Sequence, residues 1–240
     1  MKILHVADFH FRLDWFAWLT AQAANYDAIA LAGDLLNQLD KTPAQVERWS
    51  ALLAEFPCSP KRPLLVCSGN HDVLPDLRTG TQTRSGAWLR DLSRPGLVVD
   101  EQIWPGTPSI GVVPWCGRAA VPWTWPKSAD IVVVHAPPAG TALAAAPNSL
   151  RDDGDFEVSY AIWLHNPRLV LSGHVHEPRK WYAHITDSLC LNPGCDPTAK
   201  IPQHIIIDTK AGRADWHCPD KNRTESAYFR PLVNKHGETI

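Results

Sequence analysis

Short apolar runs that stop abruptly at Asp, Asn or His constrain this chain more than any other feature. Lys2 to Ala7 reads as a strand and stops at Asp8, and Ala28 to Ala32 stops at Gly33-Asp34. Leu64 to Cys67 runs into Ser68-Gly69-Asn70-His71-Asp72, Ile131 to Val134 into His135, and Leu169 to Leu171 into Ser172-Gly173-His174-Val175-His176. Continuous aliphatic runs of this length suit strands buried on both faces. Between them, Phe16 to Ala24, Thr42 to Phe56 and Asp155 to Leu164 read as helices. In the second, Thr42 caps, Pro43 takes the first helical position and Gln45 completes a capping box. Alternation of strand and helix predicts an α/β fold with a layered sheet. The runs Ile110 to Val113, Ser188 to Leu191 and His204 to Ile207 are expected to add a second sheet.

Composition narrows the classes. With 45% hydrophobic and 20% charged residues, the 240-residue chain is an ordinary globular protein able to bury a sizeable core. A net charge of -2 excludes a strongly basic nucleic-acid footprint, though not a local basic patch. No run approaches the roughly 18 apolar residues of a membrane span, and Met1 to His10 has no signal-peptide pattern. The six cysteines form no CxxC pair, so the reading is a reduced, cytoplasmic protein without a membrane partner. From about Cys218 onward the chain turns polar. Residues 1–217 are therefore taken as one domain and 218–240 as a surface-following tail.

Asp8, His10, Asp34, Asn70, His71, His135, His174 and His176 all fall at or just past the end of an apolar run. In open α/β sheets the carboxyl ends of strands line one edge, where ligands bind. Five segments would thus deliver oxygen and imidazole donors to one place, a mixture suited to Mn, Fe or Zn. In Asp8-Phe9-His10 and His174-Val175-His176, alternate residues of an extended chain would project to one side. Gly33, Gly69 and Gly173 precede donor residues, where they permit tight turns and close backbone approach.

The strings D-x-H (Asp8, His10), G-D-x-x-N (Gly33, Asp34, Asn37), G-N-H-D (Gly69 to Asp72), a lone His after a strand (His135) and G-H-x-H (Gly173 to His176) resemble the calcineurin-like metallophosphoesterase family. The resemblance covers the chain from Asp8 to His176. It implies a two-sheet β-sandwich core flanked by helices, in αββα layers. It also implies two divalent metal ions, foremost Mn, with Fe, Zn or Ni as alternatives. One ion would be held by Asp8, His10, Asp34 and His176, the other by Asp34, Asn70, His135 and His174, with Asp34 lending one oxygen to each. A hydroxide bridging the ions would attack the phosphorus while His71 stands over the phosphate. Family members often place an Asp where Asn37 stands; here an amide would orient His71, and Asp72 would either supply charge or tie down the loop.

Other residues have two readings. His135 is preferred to His165 as the lone ligand because it follows a strand, and His5 is taken as a packed or supporting residue. Arg12 is a candidate for the substrate phosphate, beside Asn70, or the start of a solvated helix. Trp104, Trp115, Trp123 and Trp125 could stack bases, but packing the loop to the body is preferred. Asn192-Pro193-Gly194 reads as an ordinary turn before it reads as a support for the site. The second motif lacks the D-R-G extension of phosphoprotein phosphatases, and His71 stands where lipid-precursor hydrolases carry arginine. The pattern is most similar to the phosphodiesterase and nuclease branch, with a nucleotide or single-stranded nucleic acid as substrate. Arg78, Arg84, Arg90 and Arg94 are candidates for a basic rim. The alternatives are a phosphomonoesterase on a small metabolite and a non-catalytic scaffold.

Overall fold

The computed structural model describes residues 1–74, 86–115, 124–233 and 238–240. Seven strands form one sheet: β1 (Lys2–Val6), β2 (Ala28–Ala32), β3 (Leu64–Cys67), β4 (Leu97–Val99), β11 (His204–Asp208), β12 (Arg213–Cys218) and β13 (Arg223–Tyr228), in the order β13-β12-β11-β1-β2-β3-β4. Six more form the second: β5 (Ile103–Trp104), β6 (Ile110–Val113), β7 (Ile131–Val134), β8 (Leu169–Leu171), β9 (Tyr182–Ile185) and β10 (Ser188–Leu191), in the order β5-β6-β7-β8-β10-β9. β1, β2, β3 and β4 are mutually parallel, as are β6, β7, β8 and β10.

The alternation of side chains along each strand builds the layers. On β1, Leu4 and Val6 face the helices α1 (Leu13–Gln22) and α2 (Pro43–Glu55), where they meet Trp15, Phe16, Leu19, Trp49 and Leu53. Ile3 and Ala7 face inward and join Ile131, Val133, Leu169 and Leu171 between the sheets. The alanines of β2 at 28, 30 and 32 share that inner layer, and their small size lets the sheets approach. A third apolar layer packs Val158, Ala161 and Ile162 of a later helix (Phe156–His165) under Val132, Val134 and Val170. The order is helix, sheet, sheet, helix, as the resemblance implied.

Three local expectations change. His204–Asp208 joins the first sheet, antiparallel to β1 with Ile3 opposite Ile207, while the Ile131 and Leu169 runs build the second. Both assignments bury the same alternating face, so apolar content alone does not choose between them. Beyond Cys218, within the stretch read as a surface-following tail, Arg223–Tyr228 is an edge strand paired along its length with β12. Thr42 caps α2 by accepting the Gln45 N–H at 3.3 Å, but Gln45 does not close a capping box. Its side chain reaches past Thr42, donating to the Asp40 carbonyl and accepting the Asn37 N–H. Among the described residues no helix is long and apolar enough to cross a membrane.

Candidate metal centre

The carboxyl ends of β1, β2, β3, β7 and β8 meet at one edge of the sandwich, and the strand-end residues converge there. Asp8, His10 and His176 bring donor atoms within 4.8 Å of one another, and Asp34, His135 and His174 form a second such group. Asn70 adds its Oδ1 to the second group, 2.9 Å from His135 Nε2. Asp34 lies between them. Its Oδ2 is 3.3 Å from His135 Nε2, 4.0 Å from His10 Nε2 and 3.9 Å from His71 Nε2. Its Oδ1 is turned away and accepts the His71 backbone N–H at 2.8 Å. The expectation that each oxygen serves one ion therefore changes: a single oxygen faces both groups, because the other anchors the Gly69–His71 turn.

The backbone reaches this geometry by turning, not by extending. Asp8, His10 and Phe11 have φ values of 57°, 43° and 64°, and Asp34 and His174 have 55° and 69°. The expected alternation of an extended Asp8-Phe9-His10 is thus replaced by a left-handed turn. That turn is held by Asp8, His10 and Phe11 N–H groups donating to the Gly33, Asp34 and Leu35 carbonyls. Gly33, at φ 79°, is required twice over: a Cβ there would stand 2.4 Å from His135 Nδ1 and 2.9 Å from Gly69 Cα. A Cβ at Gly69 would meet Asp34 Oδ1 at 2.1 Å.

Supporting bonds aim the donors. His135 Nδ1 lies 2.8 Å from the Ala32 carbonyl, which turns Nε2 toward Asp34. The His174 N–H donates to both Asp8 oxygens at 3.0 and 3.1 Å. Asn192 donates to the Gly173 and Val175 carbonyls and accepts the Gly194 N–H, so the Asn-Pro-Gly turn is a support for the histidine loop. Three further contributors went unread in the sequence. Asp100, just past β4, accepts the Ser68 N–H and O–H, and Ser68 Oγ accepts the Trp115 N–H. Like Asp8, Asp100 is an acid that ends an apolar run. Gln38 Nε2 lies 3.2 Å from His10 Nε2, and Lys41 Nζ donates to the Asn70 carbonyl at 3.4 Å beside His71. Neither Gln38 nor Lys41 carries a motif.

The other predicted site residues have different placements. Asp72 is fully buried and accepts the N–H groups of Leu35, Leu36 and Gly69, so it staples two turns together instead of charging His71. Asn37 supplies no orienting bond: His71 Nδ1 is buried without a well-formed partner among the described residues. Arg12 is engaged by Asp14 and by the carbonyls of Pro197 and Ala199, and its guanidinium lies 4.4 Å over Trp15. Arg90 pairs with Glu101 and Arg94 donates to the last carbonyls of α2, which leaves neither for a basic rim. Arg78, Arg84 and Trp123 lie outside the described residues. Trp104 donates to the Pro60 carbonyl and Trp125 is buried, as loop packing predicts. Trp115 instead packs its ring against His135 and His174, at 5.7 and 5.6 Å. His5 is buried between the sheets with Nε2 2.9 Å from the Ser172 carbonyl, and His165 stays at its helix end.

The donor set fits divalent cations. His10 Nε2 and His176 Nε2 face each other at 2.9 Å, an arrangement in which one lone pair must point at the other ring unless a proton or cation sits between them. Burial lowers His10 to about 4 and His174 to about 3, and lowers His176, so these imidazoles are neutral with lone pairs available. Burial, and then Asp34, raise Asp8 and Asp72 to about 7. Burial opposes charge on His135, yet Asp34 and Asp8 raise it to about 9. Burial likewise opposes charge on Asp34, but His135, His71 and His10 hold it well below the usual carboxylate range.

These shifts set a pH dependence. Asp8, Asp72 and His135 all bind protons more tightly in the folded chain than their ordinary values of 3.8, 3.8 and 6.5 allow. Their contribution to stability is present at low pH and is lost as pH rises through about 7 and then about 9. The buried histidines with lowered values act in the opposite direction, but only below 6.5. In the presence of chelator, the melting temperature is therefore expected to fall between pH 6.5 and 9. Thermal melts across that range check it, and a rising melting temperature would contradict these proton assignments.

Comparison with known proteins places this edge in a family. The calcineurin-like phosphoesterase family model matches residues 1–178. No curated protein sequence matches the chain. Among solved structures, TT1561 of Thermus thermophilus aligns with a TM-score of 0.58 at 17% identity, over 95% of this chain and 99% of that one, which is a likeness of fold. A novel archaeal phosphodiesterase aligns at 16% identity over 95% of this chain and 100% of its own, with a TM-score of 0.46. The matched stretch runs from β1 past His176, the last of the converging donors, and the chain belongs to the calcineurin-like phosphoesterase family.

Proposed function

We propose that the protein is a binuclear metal-dependent phosphodiesterase in which Asp34 is shared by the two ions. The observation that carries this is the position of Asp34 Oδ2, which faces both donor groups while Oδ1 is fixed to the His71 turn. Asp8, His10, Asp34 and His176 would hold one ion, and Asp34, Asn70, His135 and His174 the other. A mixed carboxylate, amide and imidazole set suits manganese, with iron, zinc and nickel as neighbours in preference. When bound, the two cations supply Lewis-acid activation of water and a clamp for the phosphoryl oxygens.

The chain's own residues do the remaining work. His71 Nε2 stands at the partly open side, 3.9 Å from Asp34, and is free to donate to a phosphoryl or leaving oxygen. Burial lowers its pKa, with Lys41 adding to the effect against Asp34, so the free protein presents a neutral imidazole N–H. A singly charged diester suits this site better than a doubly charged monoester. Arg12, Arg90 and Arg94 are committed elsewhere, which leaves Lys41 as the cation placed beside His71 among the described residues.

The manganese-loaded protein is expected to hydrolyse bis-p-nitrophenyl phosphate well and p-nitrophenyl phosphate poorly. Turnover of only the monoester would replace this reading by a phosphatase, and no turnover with two ions bound would replace it by a scaffold. His71→Gln is expected to keep both ions and lose about 10²–10⁴-fold in kcat. The loss should be larger for alkyl than for nitrophenyl leaving groups. Equal losses across leaving groups would assign His71 to binding alone.

A further inference from the structure

At the His176 end of the centre the two sheets part. The strand at the edge of one sheet, β9, and the strands β12 and β13 at the edge of the other leave a cleft of about 660 Å³. His176 lines it together with Tyr182, Trp216 and Arg223. Its volume lies within the range of sites that hold an extended organic ligand.

The cleft is preformed. Trp181 donates its indole N–H to Glu225 across the two sheet edges at 2.9 Å, and stacks on Trp216 at 6.4 Å with an interplanar angle of 13°. Trp216 donates to the Pro193 carbonyl in the turn that follows Asn192, so the wall is tied to the histidine loop. The Arg223 guanidinium lies 5.6 Å over Trp216, is bonded to Glu225 and lines the cleft. Planar guanidinium groups and aromatic rings are the surfaces on which unpaired bases stack.

Charge on the lining is mixed, with Arg179, Lys180, Lys221 and Arg223 against Glu177, Asp196 and Glu225. Glu225 is satisfied by Trp181 and Arg223, and Asp196 by the N–H and O–H of Thr198. Lys180 and Lys221 are exposed on the cleft, and neither ammonium makes a salt bridge or hydrogen bond among the described residues. The cleft therefore sets two unpaired ammonium groups beside planar surfaces.

We infer that this cleft binds single-stranded nucleic acid and holds the nucleotides on one side of the phosphate that lies at His176. A diester has two organic arms, and the cleft accommodates one of them. The inference rests on the phosphodiesterase reading for its direction, but strand binding itself requires no metal. It is tested with a short fluorescein-labelled oligothymidylate and fluorescence anisotropy, on protein held in chelator. The protein is expected to bind the strand, and Lys180→Glu/Lys221→Glu to weaken binding roughly tenfold or more and flatten its salt dependence. Lys180→Ala/Lys221→Ala should weaken it less, in the same order. Both variants should hydrolyse bis-p-nitrophenyl phosphate at the unaltered rate, since neither lysine belongs to the donor groups of the metal centre. No binding, binding indifferent to the charge reversals, equal binding of duplex, or displacement by polyglutamate as effective as by unlabelled strand would each overturn the inference. If the variants lose the strand while even the parent protein fails to cleave the diester, the cleft stands and the phosphodiesterase reading falls.

Discussion

Asp34→Asn is expected to lower kcat for bis-p-nitrophenyl phosphate on the order of a thousandfold or more, the scale at which preorganised charge at a phosphoryl centre operates. The substitution keeps the shape of the side chain and its bond to the His71 N–H, since the amide oxygen can still accept at Oδ1. It removes the negative charge from the one position within 4.0 Å of His10, His71 and His135 at once. An amide nitrogen there offers no lone pair to either ion. Two readouts follow together: elemental analysis should show fewer than two ions per chain, and the thermal stabilisation produced by adding manganese should shrink, because stabilisation by ligand tracks affinity for the native state. A variant that retains two ions and the full melting shift while losing only turnover would show that Asp34 is not shared.

The second large effect is on the fold around the site. Asp72→Ala is expected to destabilise the protein by about 2–4 kcal/mol, because it leaves three buried N–H donors without an acceptor. The Leu35 and Leu36 N–H groups meet Oδ1 at 2.8 and 2.9 Å, and the Gly69 N–H meets Oδ2 at 2.7 Å, so one carboxylate joins the turn that carries Asp34 to the turn that carries Asn70 and His71. Asp72 is held to this position against burial and against the nearby Asp34 charge, which is why the loss is set below the sum of three bonds. Denaturant unfolding measures the change directly. Turnover of the folded variant should fall as well, and a stability within about 0.5 kcal/mol of the parent, the range of an ordinary surface substitution, would remove Asp72 from the framework.

The ends of the apolar runs were readable from residue type because burying Asp or His within a strand is costly unless it finds a partner, as His5 does at the Ser172 carbonyl. Such residues therefore gather where a strand leaves the core. That cost located Asp8, Asp34, Asn70, His135 and His174 at one edge. What residue type does not encode is direction. The Asp72 carboxylate and the Asp34 carboxylate look alike in sequence, yet one accepts backbone N–H groups from two turns and the other faces imidazoles. The same limit applied to Arg12, whose guanidinium was drawn to Asp14 and to carbonyls far along the chain, at 197 and 199. Sheet membership of His204–Asp208 was hidden because either sheet buries Ile205 and Ile207 equally well. The left-handed turns at Asp8 and His10 were hidden because nothing in those two side chains demands positive φ; the neighbouring β2 end imposes it through three backbone bonds. Asp100 was passed over because Leu97–Val99 is only three residues long.

Those left-handed residues have an outcome for the order in which the molecule comes apart. Asp8, His10, Asp34 and His174 each sit in a region that disfavours L side chains by about 1–3 kcal/mol. Opening of the donor turns releases that strain, whereas opening of the apolar layers behind them releases none. Without metal the donor turns are thus expected to open before the apolar layers behind them, and an ion that pins the turns ties the integrity of that edge to the supply of metal in the surroundings.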